Sequence, residues 1–456
     1  MNNLWLKALL AGCAIAGVLP GPLAAEGLKA GVAKVEITPP PGVLLWGYFD
    51  RLTPARGTID PLYARVLVLE AGQTRLALVD LDLGRVFGPA SIERIRDSAR
   101  QSAGISYVIV MATHTHAGPV VMDEYPDGTP AWETAAIGKI GNAIDEAARS
   151  AVDAKLGTGY GETYIGYNRR QVNADGRVTM IWENPEHHPT APADPTVSVL
   201  RVDTMDGKPL AVLVNYACHP VIFGADDLDF SADFPGVMTQ TVESAFSKAG
   251  FTAPLCFFLQ GAAGDINVFD AGTPRDKAIE KRDWSGQHLG EEAARVALKI
   301  QTEAVAEPSI AFAEDRLDFH LRWNPDKFRE AILAGIGPQA FRIYSPPIKE
   351  EMQLPVMTVL LDRKIAMMGM PGEPFVDFQI NWRARCPLKD AFFLGYANGY
   401  NGYFPTIKAA SQGGYGTASP STWVEVGAGE EMVEHSLMRL DEMLGRLHDL
   451  PDDLKN

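Results

Sequence analysis

The sequence predicts a single large α/β domain, a mixed β-sheet flanked by helices with a metal site at the strand ends. Two observations predict it. Strand-like apolar runs alternate with helix-like segments along the whole length, without internal repeats or low-complexity linkers. Several apolar runs also end in Gly- or Pro-marked loops that carry a polar side chain able to do chemistry. In α/β sheets, ligands gather in the crevice beyond the carboxyl ends of the strands. The composition agrees: 456 residues, 46% hydrophobic and 21% charged, suffice for one large or two medium domains. A formal charge of −16 argues against a nucleic-acid partner and is compatible with a lipid or neutral substrate.

Residues 1–25 read as an export signal. Lys7 supplies the positive side chain, residues 8–19 an apolar run, and Leu23-Ala24-Ala25 a cleavage site. The run is shorter than the roughly 20 apolar residues of a bilayer span. Leu10-Ala11-Gly12-Cys13 offers the alternative of a lipidated cysteine. The expected location is periplasmic or secreted, with residues 26–456 as the domain. Signal removal leaves Cys218, Cys256 and Cys386, an odd number that permits at most one disulfide. Cys218 and Cys256 sit in apolar runs and are expected as buried thiols.

Residues 26–60, with Trp46-Gly47-Tyr48, form an irregular opening segment. Residues 64–69 and 76–81 are strands joined by an Ala71-Gly72-Gln73 turn. Residues 91–102 and 131–152 have helical periodicity, and the run at 108–112 between them is strand-like. Residues 157–200 read as a Gly-rich excursion. Strands follow at 197–202, 210–216 and 255–259, with a helix after Pro235 before the third. Residues 275–305 are helical with a break at 283–288. Residues 308–365 mix strands with a helix near 326–334. Strands at 365–370 and 392–396 precede a closing helix at 430–447.

The chemistry gathers where these strands end. The run Val108-Ile109-Val110-Met111 leads into Ala112-Thr113-His114-Thr115-His116-Ala117-Gly118-Pro119. In a persisting strand, residues i and i+2 share a face, and paired imidazoles suit zinc at about 2.0–2.1 Å. Residues 212–216 lead to Cys218-His219-Pro220, and residues 255–259 run into Gln260-Gly261-Ala262-Ala263-Gly264-Asp265-Ile266-Asn267. Residues 366–370 run into Pro371-Gly372-Glu373, and residues 393–398 into Gly399-Tyr400-Asn401-Gly402-Tyr403. Each residue alone also has a purely structural reading, as a turn, a helix N-terminus or a packing ring. Together they are the set a metal hydrolase needs. His187 and His188 point to opposite faces of an extended chain and are expected as exposed loop residues. His288, His320, His435 and His448 are expected outside the site.

The stretch from Ala112 to Pro119 resembles the Gly-Thr-His-Thr-His-Ser-Gly-Pro segment of the neutral/alkaline, non-lysosomal ceramidases. These are zinc-dependent amidases that split N-acylsphingosines into fatty acid and sphingoid base. Similarity continues in order through Tyr167-Asn168-Arg169, Cys218-His219-Pro220, Ser231-Ala232-Asp233-Phe234-Pro235-Gly236, Gln260 to Asn267, Pro371-Gly372-Glu373 and the tyrosine-rich segment 396–416. The resemblance implies one zinc ion held by His114, His219, Glu373 and Tyr403. It places His116, Arg169 and Tyr415 against the substrate amide or its developing charge. Asp265 is expected to orient a ligand histidine.

The family's Gly-Asp-x-Ser appears here as Gly264-Asp265-Ile266-Asn267. An amide is no nucleophile, so a serine-dependent acyl-enzyme route is closed at Asn267, which remains a hydrogen-bonding group. The similarity covers the catalytic domain, with no counterpart of the family's C-terminal immunoglobulin-like domain. The implied function is exported, zinc-dependent hydrolysis of an N-acyl amide by metal-activated water. The implied partner is a small-molecule or lipid amide, with peripheral membrane contact compatible. The same residues also fit a zinc esterase or lactonase, or a non-catalytic zinc-binding homologue. A phosphoesterase would use Asp80, Asp82, Asp265 and the histidines with two metals about 3.5–4 Å apart.

Overall fold

The computed structural model describes residues 27–345, 348–418 and 420–447. The expected export signal, Cys13, His448 and the acidic tail lie outside the described residues. Eight apolar segments pair into one sheet: β1 (Lys29–Glu36), β2 (Tyr63–Ala71), β3 (Thr74–Leu81), β4 (Tyr107–Ala112), β5 (Val152–Glu162), β6 (Thr196–Thr204), β7 (Pro209–Tyr216) and β8 (Leu255–Gln260). Their order is β8-β7-β6-β5-β1-β2-β3-β4. A second sheet has the order of the chain: β9 (Ile310–His320), β10 (Glu351–Leu361), β11 (Ile365–Gly369) and β12 (Asp390–Leu394). The helices are α1 (Pro89–Ala103), α2 (Ala131–Arg149), α3 (Asp233–Lys248), α4 (Arg275–Ala297), α5 (Pro325–Tyr344), α6 (Val376–Arg385), α7 (Ile407–Gln412) and α8 (Ala428–Met443).

Within these two sheets three strand pairs are parallel: β3 with β4, β7 with β8, and β11 with β12. A parallel pair needs a crossover, which α1, α3 and α6 respectively supply. Local sequence sets the helix ends. Pro89 opens α1, and Gly104 closes it at φ 62°. Asn324 caps α5 by accepting the Lys327 N–H.

The layers run helix, sheet, sheet, helix. Ile95 of α1 and Ile140 and Ile144 of α2 pack on Val66, Val79 and Val110. α3 and α4 cover the other half through Met238, Val242, Leu289 and Ala293. The opposite face, with Leu67, Leu78, Ile109, Leu213 and Phe257, packs on Met357, Val359, Met367 and Phe392 of the second sheet. Beyond it lie Trp382 of α6 and Met432 and Leu440 of α8. Each such burial stabilises by about 1.5–3 kcal/mol. Strands covered on both faces lose polar alternation, and β2 is buried at all but its first residue.

The mixed sheet and flanking helices match the sequence reading, but the strands divide into two packed sheets rather than one, and three elements differ in extent. β5 extends through residues read as an excursion, because Gly157, Gly159 and Gly161 lie against Ile300, Val296 and Glu292 of the α4 region. α4 runs unbroken through 283–288. Its Gly286 and Gly290 admit α3 closely, where added Cβ atoms would lie 2.5 Å from Val237 and 2.6 Å from Thr241. α5 extends to Tyr344 through a break at Gly337, whose φ is 76°. Cys218, Cys256 and Cys386 are free thiols, the first two buried. Among the described residues, no helix is long and apolar enough to cross a membrane.

Candidate metal centre

Five loops meet beyond the carboxyl ends of β4, β7, β8, β11 and β12, five of the six strands of these parallel pairs. β4 stops at Ala112, and His114 adopts a left-handed φ of 69°. Its N–H donates to Leu83 O at 2.9 Å. The two histidines therefore do not share a strand face. The turn folds them together instead, with 3.2 Å between their Nε2 atoms. His219 follows β7, with its N–H on Ile266 O at 3.0 Å. Glu373 follows β11, with its N–H on Gly402 O at 2.8 Å.

The orienting bonds of the histidines are to backbone carbonyls. Nδ1 of His114 faces Gly84 O, and Nδ1 of His219 faces Ala263 O and Ile266 O. A carbonyl only accepts, so Nδ1 carries the proton and a neutral ring presents an unprotonated Nε2. Those Nε2 atoms point at one carboxylate oxygen, Oε2 of Glu373, from 3.4 Å (His114) and 3.1 Å (His219). Burial pushes His219 down to about 4, so it stays neutral at pH 7. Burial also holds His116 well below its ordinary range, aided by its two histidine neighbours.

Lone pairs facing lone pairs across hydrogen-bond distances repel unless a cation lies between them. Donors about 2.0–2.1 Å from one tetrahedral ion stand roughly 3.3–3.4 Å apart, so this donor set fits a metal ion. His114, His116 and His219 form a group whose ligand atoms all lie within 4.8 Å of one another.

The remaining predicted residues surround this cluster. Arg169 is buried and donates to Asn267 Oδ1 at 3.0 Å, Gly264 O at 2.6 Å and the Tyr403 hydroxyl at 3.2 Å. Its guanidinium lies 5.1 Å from the Tyr415 ring centre. Burial and the Glu373 charge push the Tyr403 phenol well above its ordinary range. Its hydroxyl is therefore neutral in the absence of a cation.

Asp265 does not orient a histidine. Its carboxylate accepts from Asn168 Nδ2 at 2.7 Å and from the Val376 N–H at 2.8 Å, the first residue of α6. It thus ties the Arg169 segment to the helix after Glu373, and burial raises it to about 6. Asp80 and Asp82 lie elsewhere: Asp82 pairs with Arg65 at 2.8 Å, and Asp80 accepts from the Phe258 N–H at 3.2 Å. That removes two of the carboxylates a phosphoesterase would need. His187 is half-buried, stacked on Phe269 and bonded to Asp270 at 3.2 Å, while His188 is exposed as expected.

Three neighbours lie outside the set of site residues that the sequence predicted. The Tyr400 hydroxyl donates to Glu373 Oε1. Buried Arg51 donates to the carbonyls of Trp46 and His116. Gly47, at φ 112°, leaves room for His116, whose ring an added Cβ would approach to 2.5 Å. Gly47 stood beside aromatic residues and Tyr400 in a Gly-marked strand-end run, whereas Arg51 carried no signal. Above the cluster lies a cleft of about 640 Å³ including its mouth, walled by Trp46, Ile332, Ile336, Tyr344 and Trp423. A second trough, lined by Arg169, Trp182 and Asn267, meets the cleft at His116, Tyr403 and Tyr415.

Fold and site together define a hydrolase. The chain belongs to the neutral/alkaline non-lysosomal ceramidase family, whose N-terminal model matches residues 28–276. The neutral ceramidase of Pseudomonas aeruginosa shares the fold at a TM-score of 0.72 and 18% identity, over 93% of this chain and 76% of that one. A ceramidase complexed with C2 gives 0.71 and 18%, over 93% and 77%. No curated protein sequence matches the chain.

Proposed function

We propose that this chain is an exported zinc amidohydrolase that splits the N-acyl amide of a ceramide-like lipid with water. The observation that carries the reading is the convergence of the Nε2 atoms of His114 and His219 on the Glu373 carboxylate, each ring turned there by its Nδ1 on a backbone carbonyl. His114, His219 and Glu373 would hold one zinc ion, with Tyr403 completing the set. When bound, zinc supplies Lewis acidity, lowering the pKa of water toward about 7 and polarising a carbonyl.

The chain's own residues do the rest. His116 is neutral, its buried Nδ1 has no partner, and it borders both clefts, so it takes and returns the proton. Arg169 presents a fixed cation beside the Tyr415 phenol, where the tetrahedral oxyanion develops; such donors are worth about 10²–10³ in rate. Asn267 accepts from Arg169 and holds it, a role that needs no nucleophile. Two clefts meeting at His116 suit an amide with a chain on each side. Membership of a ceramidase family and the similarity to a ceramidase complexed with C2 support this substrate class. The signal-like residues 1–25 support export.

The test joins metal analysis to a substrate panel of N-acyl amides, esters and phosphodiesters, with and without chelator. One zinc per chain and chelator-sensitive amide hydrolysis are expected. His114→Ala and Glu373→Ala should each lose the metal. Full zinc retention in a folded variant would sink the ligand assignment, and esters outpacing amides would reassign the reaction.

A further inference from the structure

We infer that Gln260 is the clamp that sets the spacing of the metal-binding histidines, a positioning residue whose side-chain amide bridges their two loops. The inference rests on the metal reading of His114 and His219 and adds the element that holds them in place. Gln260 ends β8 and is 1% exposed. Its Nε2 donates to Thr113 O at 3.0 Å and to Cys218 O at 2.9 Å. Its Oε1 accepts from the N–H groups of Cys218 and Gly261, each at 3.2 Å. A primary amide has two N–H donors and an oxygen with two lone pairs, and here all four are used.

The partners are what make this more than a satisfied buried polar group. Thr113 precedes His114, and Cys218 precedes His219. One further bond between the two segments, His116 N–H to Pro220 O at 3.2 Å, lies just beyond both histidines. The two ligands are thus bracketed, by Gln260 on one side and that bond on the other. The Gln260 carbonyl also accepts from the Gly395 N–H at 2.9 Å. Gly395 precedes Tyr396, whose ring stacks on His114 at 4.1 Å between centres. One residue therefore ties the His114 peptide, the His219 peptide and the loop leading to Tyr400 and Tyr403.

Partners that orient metal ligands typically govern affinity by about 10–100-fold. Gln260→Met keeps the length and apolar stem but makes none of the four bonds. Gln260→Glu turns a carboxylate oxygen toward two carbonyls, which repel it. The experiment titrates the full chain with zinc against a chromogenic chelator and records the cobalt(II) absorption of each variant.

Wild type should bind one equivalent, Gln260→Met about 10–100-fold more weakly with an altered cobalt spectrum, and Gln260→Glu more weakly still. Thr358→Val removes a buried 2.7 Å bond to Ser436 on the far face of the second sheet. It should lower the unfolding temperature without changing either metal readout. Should Gln260→Met not fold, Gln260→Asn, one methylene shorter, takes its place. Wild-type affinity and spectrum in the folded Gln260 variant would overturn the clamp while leaving the metal centre standing. A wild-type chain that binds no zinc would overturn the metal reading, and the clamp with it.

Discussion

Nε2 of His219 lies 3.1 Å from Oε2 of Glu373, across 154 residues of chain, and both groups are buried. This contact makes stability depend on pH in one direction. An unfolded imidazole takes a proton near pH 6.5, whereas burial delays His219 to about 4. Between those values the unfolded chain binds the extra proton, so stability falls as pH falls. The metal-stripped protein should therefore lose about 3 kcal/mol from His219 alone between pH 6.5 and 4. Thermal unfolding in chelator across that window measures it. A flat melting temperature would refute the neutral, buried imidazole.

Gly47 and His116 give a prediction with a different readout. An added Cβ would lie 2.5 Å from the His116 ring, on a backbone at φ 112°. Gly47→Ala should cost about 2–4 kcal/mol from backbone strain and overpacking. It should also turn His116 away, lowering kcat by at least about tenfold, the low side of general acid–base contributions. Zinc content should stay at the wild-type level, because the three atoms nearest the added Cβ all belong to His116. Metal loss in this variant would mean that His116 is itself a ligand.

Some of this site was legible in the sequence, for a physical reason. His114, His219 and Glu373 each follow a buried strand, and an apolar run entering a Gly- or Pro-marked loop survives translation into three dimensions. The conformation of His114 was not legible. Its left-handed φ is held by a bond to Leu83, which a strand-period pattern cannot report. The second sheet was also hidden, because β10 is nearly as buried as β2 and buried strands show no face. The contacts of Tyr400 with Glu373, Arg51 with His116, and Gln260 with Thr113 and Cys218 join segments far apart in sequence, and no local spacing announces them.

The Arg169–Asn267 bond separates positioning from nucleophilic chemistry. Asn267→Ser keeps an acceptor near Arg169 and should leave kcat within about threefold, whereas Asn267→Leu leaves the buried guanidinium short of a partner. Arg169→Lys removes the fork that reaches Asn267, Gly264 and Tyr403 together. It should lower kcat by about 10² with KM and zinc content little changed. A large rate gain in Asn267→Ser would instead show that a hydroxyl at this position does chemistry.

The roof of the cleft is the place to test the substrate's chain. Ile336 of α5 borders both the cleft and the trough, and Ile332 borders the cleft alone. If an acyl chain lies along this helix, each buried methylene contributes about 0.8 kcal/mol, so reactivity should climb with acyl length until the wall is filled. Ile336→Ala removes apolar contact without touching a polar group of the site. It should lower kcat/KM for long-chain N-acyl amides by about tenfold while leaving short-chain amides within about twofold, as expected for about 1.4 kcal/mol of lost apolar burial. Steady-state kinetics over a series of acyl lengths read this directly. Equal losses for short and long chains would place the chain elsewhere and make α5 a structural cover.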